Sequence, residues 1–511
     1  MSNSYIIDSD ENSDYMYNII KDILEEIGPR APCSEGERKA SEMMANELKN
    51  KCDDVAIEEF QVYPRALHGW VKIAVFLVMT GFLIFLLLPL NSLIISSITL
   101  GIDLFVLYMI FRHLFLYDEF IMKYWPLFKK ETSQNVVGTF KPTGEIKKRV
   151  IFSGHIDSTP RFDIMHYFRD GYLYSLVTVL IFLFSLTIIY VVQFVFAIFE
   201  AIQVNISLIV DIITIFFNII VIVLPWFFVV FFLILGRSEK VLYGVFQNIE
   251  PIAIVLILGI FLYQLVIEIS LFFYLITSPT ILKTTIVAFL YAIPVILLLY
   301  FFFANKRKAV PGALDNLSAV APVMCIAKIL KEWKENYPDL YPNNTEVQVV
   351  VTGCEECGCK GAEQFAIKHA EEYNKIDTTA VNMDTMAESR VQSIFNKEGL
   401  QDFPPEINEL LIECCNELGY KYSIGACPPV AGGTDARGFM KYGLRASSLI
   451  GLNYKWYHHW YHTDRDNLNL VNKERRPLED GGKSWKDFNV RGAMEMALKI
   501  CLKYLEKKDK E

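Results

Sequence analysis

Four short polar signatures carry the residues that can do chemistry in this 511-residue chain. In order they are Ser153-Gly154-His155-Ile156-Asp157-Ser158, Pro311-Gly312-Ala313-Leu314-Asp315-Asn316, Gly353-Cys354-Glu355-Glu356-Cys357-Gly358 and Trp460-Tyr461-His462-Thr463. With Asn382-Met383-Asp384 between the third and fourth, they can supply two histidine and three carboxylate ligands. That donor mix suits a pair of hard-to-borderline divalent ions such as zinc. Glu355 is left over beside a ligand, where a general base would sit.

Each residue also has a plainer reading. His155 and Asp157 lie two apart after an apolar run. In an extended turn His155 can ligate while Asp157 holds the far ring nitrogen, but a surface pair has the same spacing. Asp315 follows Pro311-Gly312 and precedes a helical pattern, so it can equally be an N-cap. Glu355 and Glu356 are harder to explain without a cation. Adjacent carboxylates at the end of an apolar strand repel each other and lose solvation, so they need a strong positive partner. A metal bound by Glu356 supplies it, with Glu355 accepting a proton from the activated water. Cys354-x-x-Cys357 flanks the pair, yet no second Cys-x-x-Cys half exists to complete a zinc ribbon. Asp384 ends another strand-like run and has a simple loop aspartate as its alternative. His462 stands in a cluster with His458 and His459, and sequence chemistry does not choose among the three. Tyr461 can donate to an oxyanion or pack in its aromatic loop.

The elements that must position these residues follow from periodicity. Helical patterns cover Tyr15–Ile27, Glu35–Asn50, Ala319–Asn336, Ala362–Tyr373, Pro405–Leu418 and Arg491–Lys507. They alternate with β-rich runs at Val55–Val62, Asn135–Thr139, Arg149–Ser153, Val347–Thr352, Ala380–Met383 and Ala446–Gly451. Several runs are short, continuously apolar and end just before a signature, as buried parallel strands do. The fold class expected is α/β, a mixed, mostly parallel sheet flanked by helices, with its site past the strand C-termini.

Two apolar blocks interrupt that unit. A helix needs about 20 mostly apolar residues to cross a bilayer. The first block holds two such spans, Trp70–Pro89 and Leu93–Arg112; the second holds four, near 172–198, 207–235 with Pro225, 251–276 and 284–303. The expected organisation is therefore 1–69, 117–170 and 304–511 as three pieces of one catalytic unit. A transmembrane hairpin at 70–116 and a four-helix membrane block at 171–303 separate them. Convergence of the signatures in one site requires an even number of spans in each block. Within about 18 residues of the spans, twelve Lys and Arg lie on the signature-bearing side, against Lys283 alone on the other. The site is therefore expected on the cytoplasmic side of an integral multi-pass protein. The acids Asp103, Asp211 and Glu268 fall inside spans, where a role or pairing with polar neighbours must account for each.

Composition narrows the partners. Net charge is −9 with no sustained basic tract, so no nucleic acid is expected; the bilayer is. The first 14 residues are mostly polar and acidic, without the pattern of a secretory signal. Ten cysteines show no small-domain spacing, so reduced thiols are expected.

The ordered set resembles the M28 family of zinc aminopeptidases, and the likeness extends past the ligands. Gly28-Pro29-Arg30 and Ser34-Glu35-Gly36-Glu37-Arg38-Lys39-Ala40 resemble that family's N-terminal helix entry. Asn135-Val136-Val137-Gly138 resembles the strand before its first ligand, and Gly433-Thr434-Asp435 with Phe439 a late motif near the substrate cleft. The resemblance implies two zinc ions bridged by Asp315, one completed by His155 and Asp384, the other by Glu356 and His462. It implies Glu355 as general base, Asp157 as orienter and peptide substrates. The sequence departs from the family in the 159 residues between His155 and Asp315, and in the charge bias, since anchored members commonly keep the protease outside the cytoplasm. Two other classes remain open: another metal-dependent amide hydrolase or glutaminyl cyclase on the same fold, and a non-catalytic receptor or scaffold.

Overall fold

The computed structural model describes residues 9–64, 66–87, 93–116, 129–168, 171–204, 209, 305–427, 432–452, 457–476 and 485–511. The chain divides into two compact units: Met1–His68, His113–Arg161 and Asn305–Glu511 form one, Gly69–Arg112 and Phe162–Ala304 the other.

Among the described residues, the first unit is built on a nine-stranded mixed sheet. Its strands are β1 (Asp54–Val62), β2 (Glu131–Phe140), β3 (Lys148–His155), β6 (Thr345–Thr352), β7 (Asp377–Asp384), β8 (Gln392–Glu398), β9 (Gln401–Asp402), β10 (Tyr422–Cys427) and β11 (Ala446–Ile450). The order is β1-β2-β6-β3-β7-β11-β8-β10, with β9 paired to β8. At its centre β6, β3, β7 and β11 run parallel. β1 and β2 run antiparallel at one side, and β8 meets β11 antiparallel at the other. Every residue of β6 is buried, as a strand covered on both faces requires.

Alternation splits the sheet's apolar residues between two cores. Val136, Val150, Phe152, Val349 and Val381 face one core; Val137, Ile151, Val350 and Ala380 face the other. The first core is filled by helices α1 (Ser9–Glu26), α2 (Glu35–Lys49), α3 (Ser318–Asn336), α5 (Pro405–Leu418) and α7 (Val490–Lys510). The second is filled by α4 (Lys360–Tyr373) and α6 (Asp435–Lys441), where Phe365 meets Phe439 edge-on at 5.7 Å. Boundaries have local causes: Ser34 caps α2 by accepting from the Glu37 N–H, and α5 opens on Pro405 and closes on left-handed Gly419. The six helical patterns and six β-rich runs expected from periodicity all appear as elements, while β8, β9, β10, α6 and the short strands Pro160–Arg161 and Asn305–Ala309 have no counterpart among them.

A two-stranded ribbon, β4 (Pro160–Arg161) with β5 (Asn305–Ala309), joins the ends of the second insertion; Pro160 is in register with Ala309 and Arg161 with Asn305. The chain thus leaves the first unit and re-enters it at one place.

In the second unit the helices Ala66–Leu87, Leu93–Phe111 and Gly171–Ala201 pack through Ala74, Val78, Val106, Leu183, Leu186 and Ile189. Asp103 is buried there and accepts a hydrogen bond from Thr187 Oγ1 at 2.6 Å, so it pairs with a polar neighbour. Among the described residues three helices are long and apolar enough to cross a membrane: Leu93–Phe111, Leu183–Ala201 and Ala313–Asn336. The last is 94% buried within the first unit, so packing against the sheet accounts for its apolarity. The expected spans at 251–276 and 284–303, nearly all of 207–235, and the acids Asp211 and Glu268 lie outside the described residues.

Candidate metal centre

The parallel strands deliver most of the site from their C-terminal ends. His155 is the last residue of β3, Asp384 the last of β7, and Glu355 and Glu356 follow β6 by a short turn. Asp315 comes from the turn between β5 and α3, and His462 from the loop after β11. All seven candidate ligand, base and orienting residues are buried: His155, Asp157, Asp315, Glu355, Glu356, Asp384 and His462.

Asp315 is the hub. Its Oδ1 lies 3.2 Å from His155 Nε2, and its Oδ2 lies 3.1 Å from His462 Nε2. His462 Nε2 is also 3.6 Å from Glu356 Oε2. Two triads result, His155 with Asp315 and Asp384, and Asp315 with Glu356 and His462; the donor atoms within each lie within 4.8 Å of one another. From the histidine cluster, His462 reaches Asp315. Glu355 belongs to neither triad, and its Oε2 stands 3.8 Å from His155 Nε2. Tyr461 stacks on the His462 ring, with centroids 3.7 Å apart.

Asp157 orders three groups at once. Its Oδ1 is 3.4 Å from His155 Nδ1, while Oδ1 and Oδ2 accept the backbone N–H groups of Glu355 and Glu356, each at 3.0 Å. It therefore sets the imidazole's orientation and the height of both glutamates together.

Several positioning residues escape sequence reading. Asp466 accepts the N–H groups of Leu314 at 2.7 Å and Asp315 at 3.0 Å, anchoring the hub's backbone. Asn316 donates to the Met383 carbonyl and accepts from the Thr385 N–H, tying the Asp315 turn to the end of β7. Gly312 has φ +66°, and a Cβ there would lie 2.6 Å from the Asp315 carbonyl oxygen, so the turn admits only glycine. Glu37 had one sequence signal, its place three residues after the capping Ser34. Instead of closing a capping box, its carboxylate accepts from the N–H groups of Cys33 and Cys354. The Gly433-Thr434-Asp435 motif brings Asp435 beside Glu355 and Cys359, whereas Phe439 is a core residue.

The electrostatics call for cations. Burial and neighbouring carboxylates push Glu355 and Glu356 well above the usual range, and burial lifts Asp384 and Asp435 to about 7 each. Burial would lower His155, but Glu355, Asp157 and Asp315 reverse that and hold it well above its ordinary value. Burial would likewise raise Asp315, yet the two imidazoles hold it well below the carboxylate range. Glu356 Oε1 is buried without a hydrogen-bond partner among the described residues. So many carboxylates in one dry site ionise together only against concentrated positive charge. The oxygen and imidazole donors, paired about a shared carboxylate, fit two borderline divalent ions.

Residues 302–476 match the model of peptidase family M28, a stretch holding every candidate except His155 and Asp157. No curated protein matches the chain. Among solved structures, similar ones include an aminopeptidase from Aneurinibacillus sp. strain AM-1, with 12% identity over 96% of this chain and 93% of that one and a TM-score of 0.43. Another is BSAP, a zinc aminopeptidase from Bacillus subtilis, with 11% identity over 97% and 94% and a TM-score of 0.44. A third is Porphyromonas gingivalis glutaminyl cyclase, with 10% identity over 97% and 98% and a TM-score of 0.44.

Proposed function

We propose that this chain, similar over its 302–476 part to peptidase family M28, is a membrane-bound aminopeptidase in which two triads that share Asp315 would hold two zinc ions. The observation that carries the reading is the pair of buried triads sharing one carboxylate, with Glu355 outside both. His155 and Asp384 would complete one site, Glu356 and His462 the other. Bound zinc would polarise the scissile carbonyl and acidify an attacking water.

The remaining work falls to the chain's own side chains. Glu355 takes the water's proton and returns it to the leaving amine; its raised affinity for protons suits that exchange. Asp157 keeps His155 and the Glu355-Glu356 backbone in register. Burial and the surrounding carboxylates push the Tyr461 phenol well above its ordinary value, so it stays protonated and able to donate to the tetrahedral oxyanion. Asp rather than Glu at position 384 resembles the aminopeptidase side of the wider clan, which supports trimming from a free N-terminus. The paired ligand set weighs against single-zinc cyclase chemistry.

Zinc removal tests this directly. Dialysis against a chelator should abolish release of single N-terminal residues from a mixed peptide pool, and added zinc should restore it. Elemental analysis should then find two zinc ions per chain, one for each triad. Untouched peptides despite both ions bound would sink the peptidase reading, and pyroglutamyl products would replace it with cyclase activity.

The membrane reading rests on the two apolar blocks, with two spans in 70–116 and four in 171–303, and the catalytic unit on the cytoplasmic side. The lopsided Lys and Arg supports that side. Trypsin should cut the 304–511 piece in inverted vesicles and spare it in right-side-out ones; the opposite pattern would reverse the orientation.

A further inference from the structure

Three cysteines crowd the outer flank of the loop that carries the catalytic glutamates. Cys33 precedes α2, and its Sγ lies 3.4 Å from the Sγ of Cys354, the residue immediately before Glu355. Cys357 and the side chains of Phe60 and Val62 enclose them. All ten cysteines are reduced in the structure.

One carboxylate holds the two sulfurs' backbones in place. Glu37 accepts from the Cys33 N–H through Oε2 at 2.7 Å and from the Cys354 N–H through Oε1 at 2.8 Å; Ser133 Oγ also donates to it at 3.0 Å. With both oxygens engaged, Glu37 is committed to this clamp and is a poor third ligand for a metal. Cys33 and Cys354 both adopt positive φ, +59° and +54°, a costly conformation for a residue with a side chain. Cys33 is half-buried, while Cys354 is fully enclosed. Cys33 is therefore the less buried of the two residues, with Cys354 enclosed beside it.

We propose that Cys33 and Cys354 form a reversible dithiol–disulfide site for a hydroperoxide, through which oxidation displaces the loop bearing Glu355 and Glu356. The Cys33 sulfur attacks a peroxide oxygen, the O–O bond breaks, and a sulfenic acid and one water result. The Cys354 sulfur then attacks the Cys33 sulfur, forming the S–S bond and releasing a second water. Overall two thiols and one hydrogen peroxide give one disulfide and two waters, and a small dithiol reverses the bond by exchange. The hydrogen bond to Cys354 and burial push the Cys33 thiol up, so it reacts more slowly than an exposed, activated cysteine.

The bond would matter because of what Cys354 adjoins. A disulfide holds its sulfurs about 2.05 Å apart, so these must close by more than an ångström from their present separation. Glu355 and Glu356, next in the chain, are each tied to Asp157 by one N–H contact, and the Glu355 carbonyl also accepts the N–H groups of Gly358 and Cys359. Misplacement on that scale at a catalytic group can cost about 100-fold. The effect on activity rests on the proposed peptidase function; the bond itself does not.

The full-length, zinc-loaded protein treated with excess hydrogen peroxide supplies the test. Non-reducing digestion and mass spectrometry should find a Cys33–Cys354 cross-linked peptide, and peptide hydrolysis should fall at least about tenfold and return with dithiothreitol. Cys33→Ser and Cys33→Ala should keep the basal activity and hold it under peroxide. No cross-link, a Cys354–Cys357 link in its place, or Cys33 variants as sensitive as wild type would overturn the proposal. A Cys33–Cys354 cross-link in a protein with no peptidase activity would support the bond and overturn the functional reading instead.

Discussion

On the proposed peptidase function, Glu355→Gln is expected to lower peptide hydrolysis by about 10²–10⁴-fold while bound zinc and the fold are retained. The amide keeps the size of the carboxylate but cannot take up the water's proton. Because Glu355 lies outside both triads, its loss removes no ligand of the two proposed zinc sites. Its surroundings tolerate the change: Cys359 Sγ is 3.3 Å from Oε1, and His155 Nε2 is 3.8 Å from Oε2. Elemental analysis beside a product assay separates the roles. A variant that sheds zinc would make Glu355 a ligand, and one that stays fully active would remove it from the chemistry. Residual turnover above the uncatalysed rate is expected from metal polarisation and the Tyr461 donor.

The second large effect is expected at Arg30, where the loss is stability. Its guanidinium is 0% exposed, and burial lowers it to about 10, still charged at neutral pH. Nε donates to the Ile156 carbonyl at 2.6 Å; Nη1 donates to Gly28 at 2.9 Å and Pro311 at 2.7 Å; Nη2 donates to Gly312 at 3.0 Å. Its backbone joins in, since Arg30 N donates to Ser158 Oγ, and Ser158 N donates to the Arg30 carbonyl, each at 2.9 Å. One side chain thus ties the N-terminal segment to the loops bearing His155 and Asp315. Arg30→Met would remove this donor from four carbonyls, those of Ile156 and Gly312 buried and those of Gly28 and Pro311 partly buried, costing about 3–5 kcal/mol by analogy with broken buried charge networks. For a unit of this size that lowers the melting temperature by roughly 5 °C. Arg30→Lys should recover only part, because an ammonium lacks the fork that reaches several carbonyls at once. Differential scanning calorimetry checks both, and a methionine variant as stable as wild type would show the network to be dispensable.

What could be read from the sequence was what leaves a local trace. A strand buried on both faces is a short apolar run, so β6 and its parallel neighbours stand out. A helix on a sheet carries a 3.6-residue stripe, so α1, α2, α3, α4, α5 and α7 do too. Strand β8, Gln392–Glu398, and strand β10, Tyr422–Cys427, mix polar and apolar residues without either signal; β8 is a strand through its pairing with β9, β10 and β11, and β10 through its pairing with β8. The candidate ligands were legible as types, but their grouping came from the family likeness. Nothing local distinguishes His462 from His458 and His459. Asp466, Asn316 and Arg30 illustrate the remaining gap: each has a partner between 67 and 282 residues away, a relation that no window of sequence contains.

The β4–β5 ribbon bears on how such a chain came to exist. His155 and Asp315 meet at 3.2 Å although 159 residues separate them, and the ribbon pins the chain at 160–161 and 305–309 on the way out and back. With its feet joined, the intervening segment acts as a cassette: its length and content can drift without altering the spacing of the ligands on either side. Closing a longer loop costs little, about 0.6 kcal/mol for each doubling of length. A chain with this ribbon can therefore gain, lose or exchange whole segments between β4 and β5 while the spacing of the candidate ligands His155 and Asp315 stays as it is.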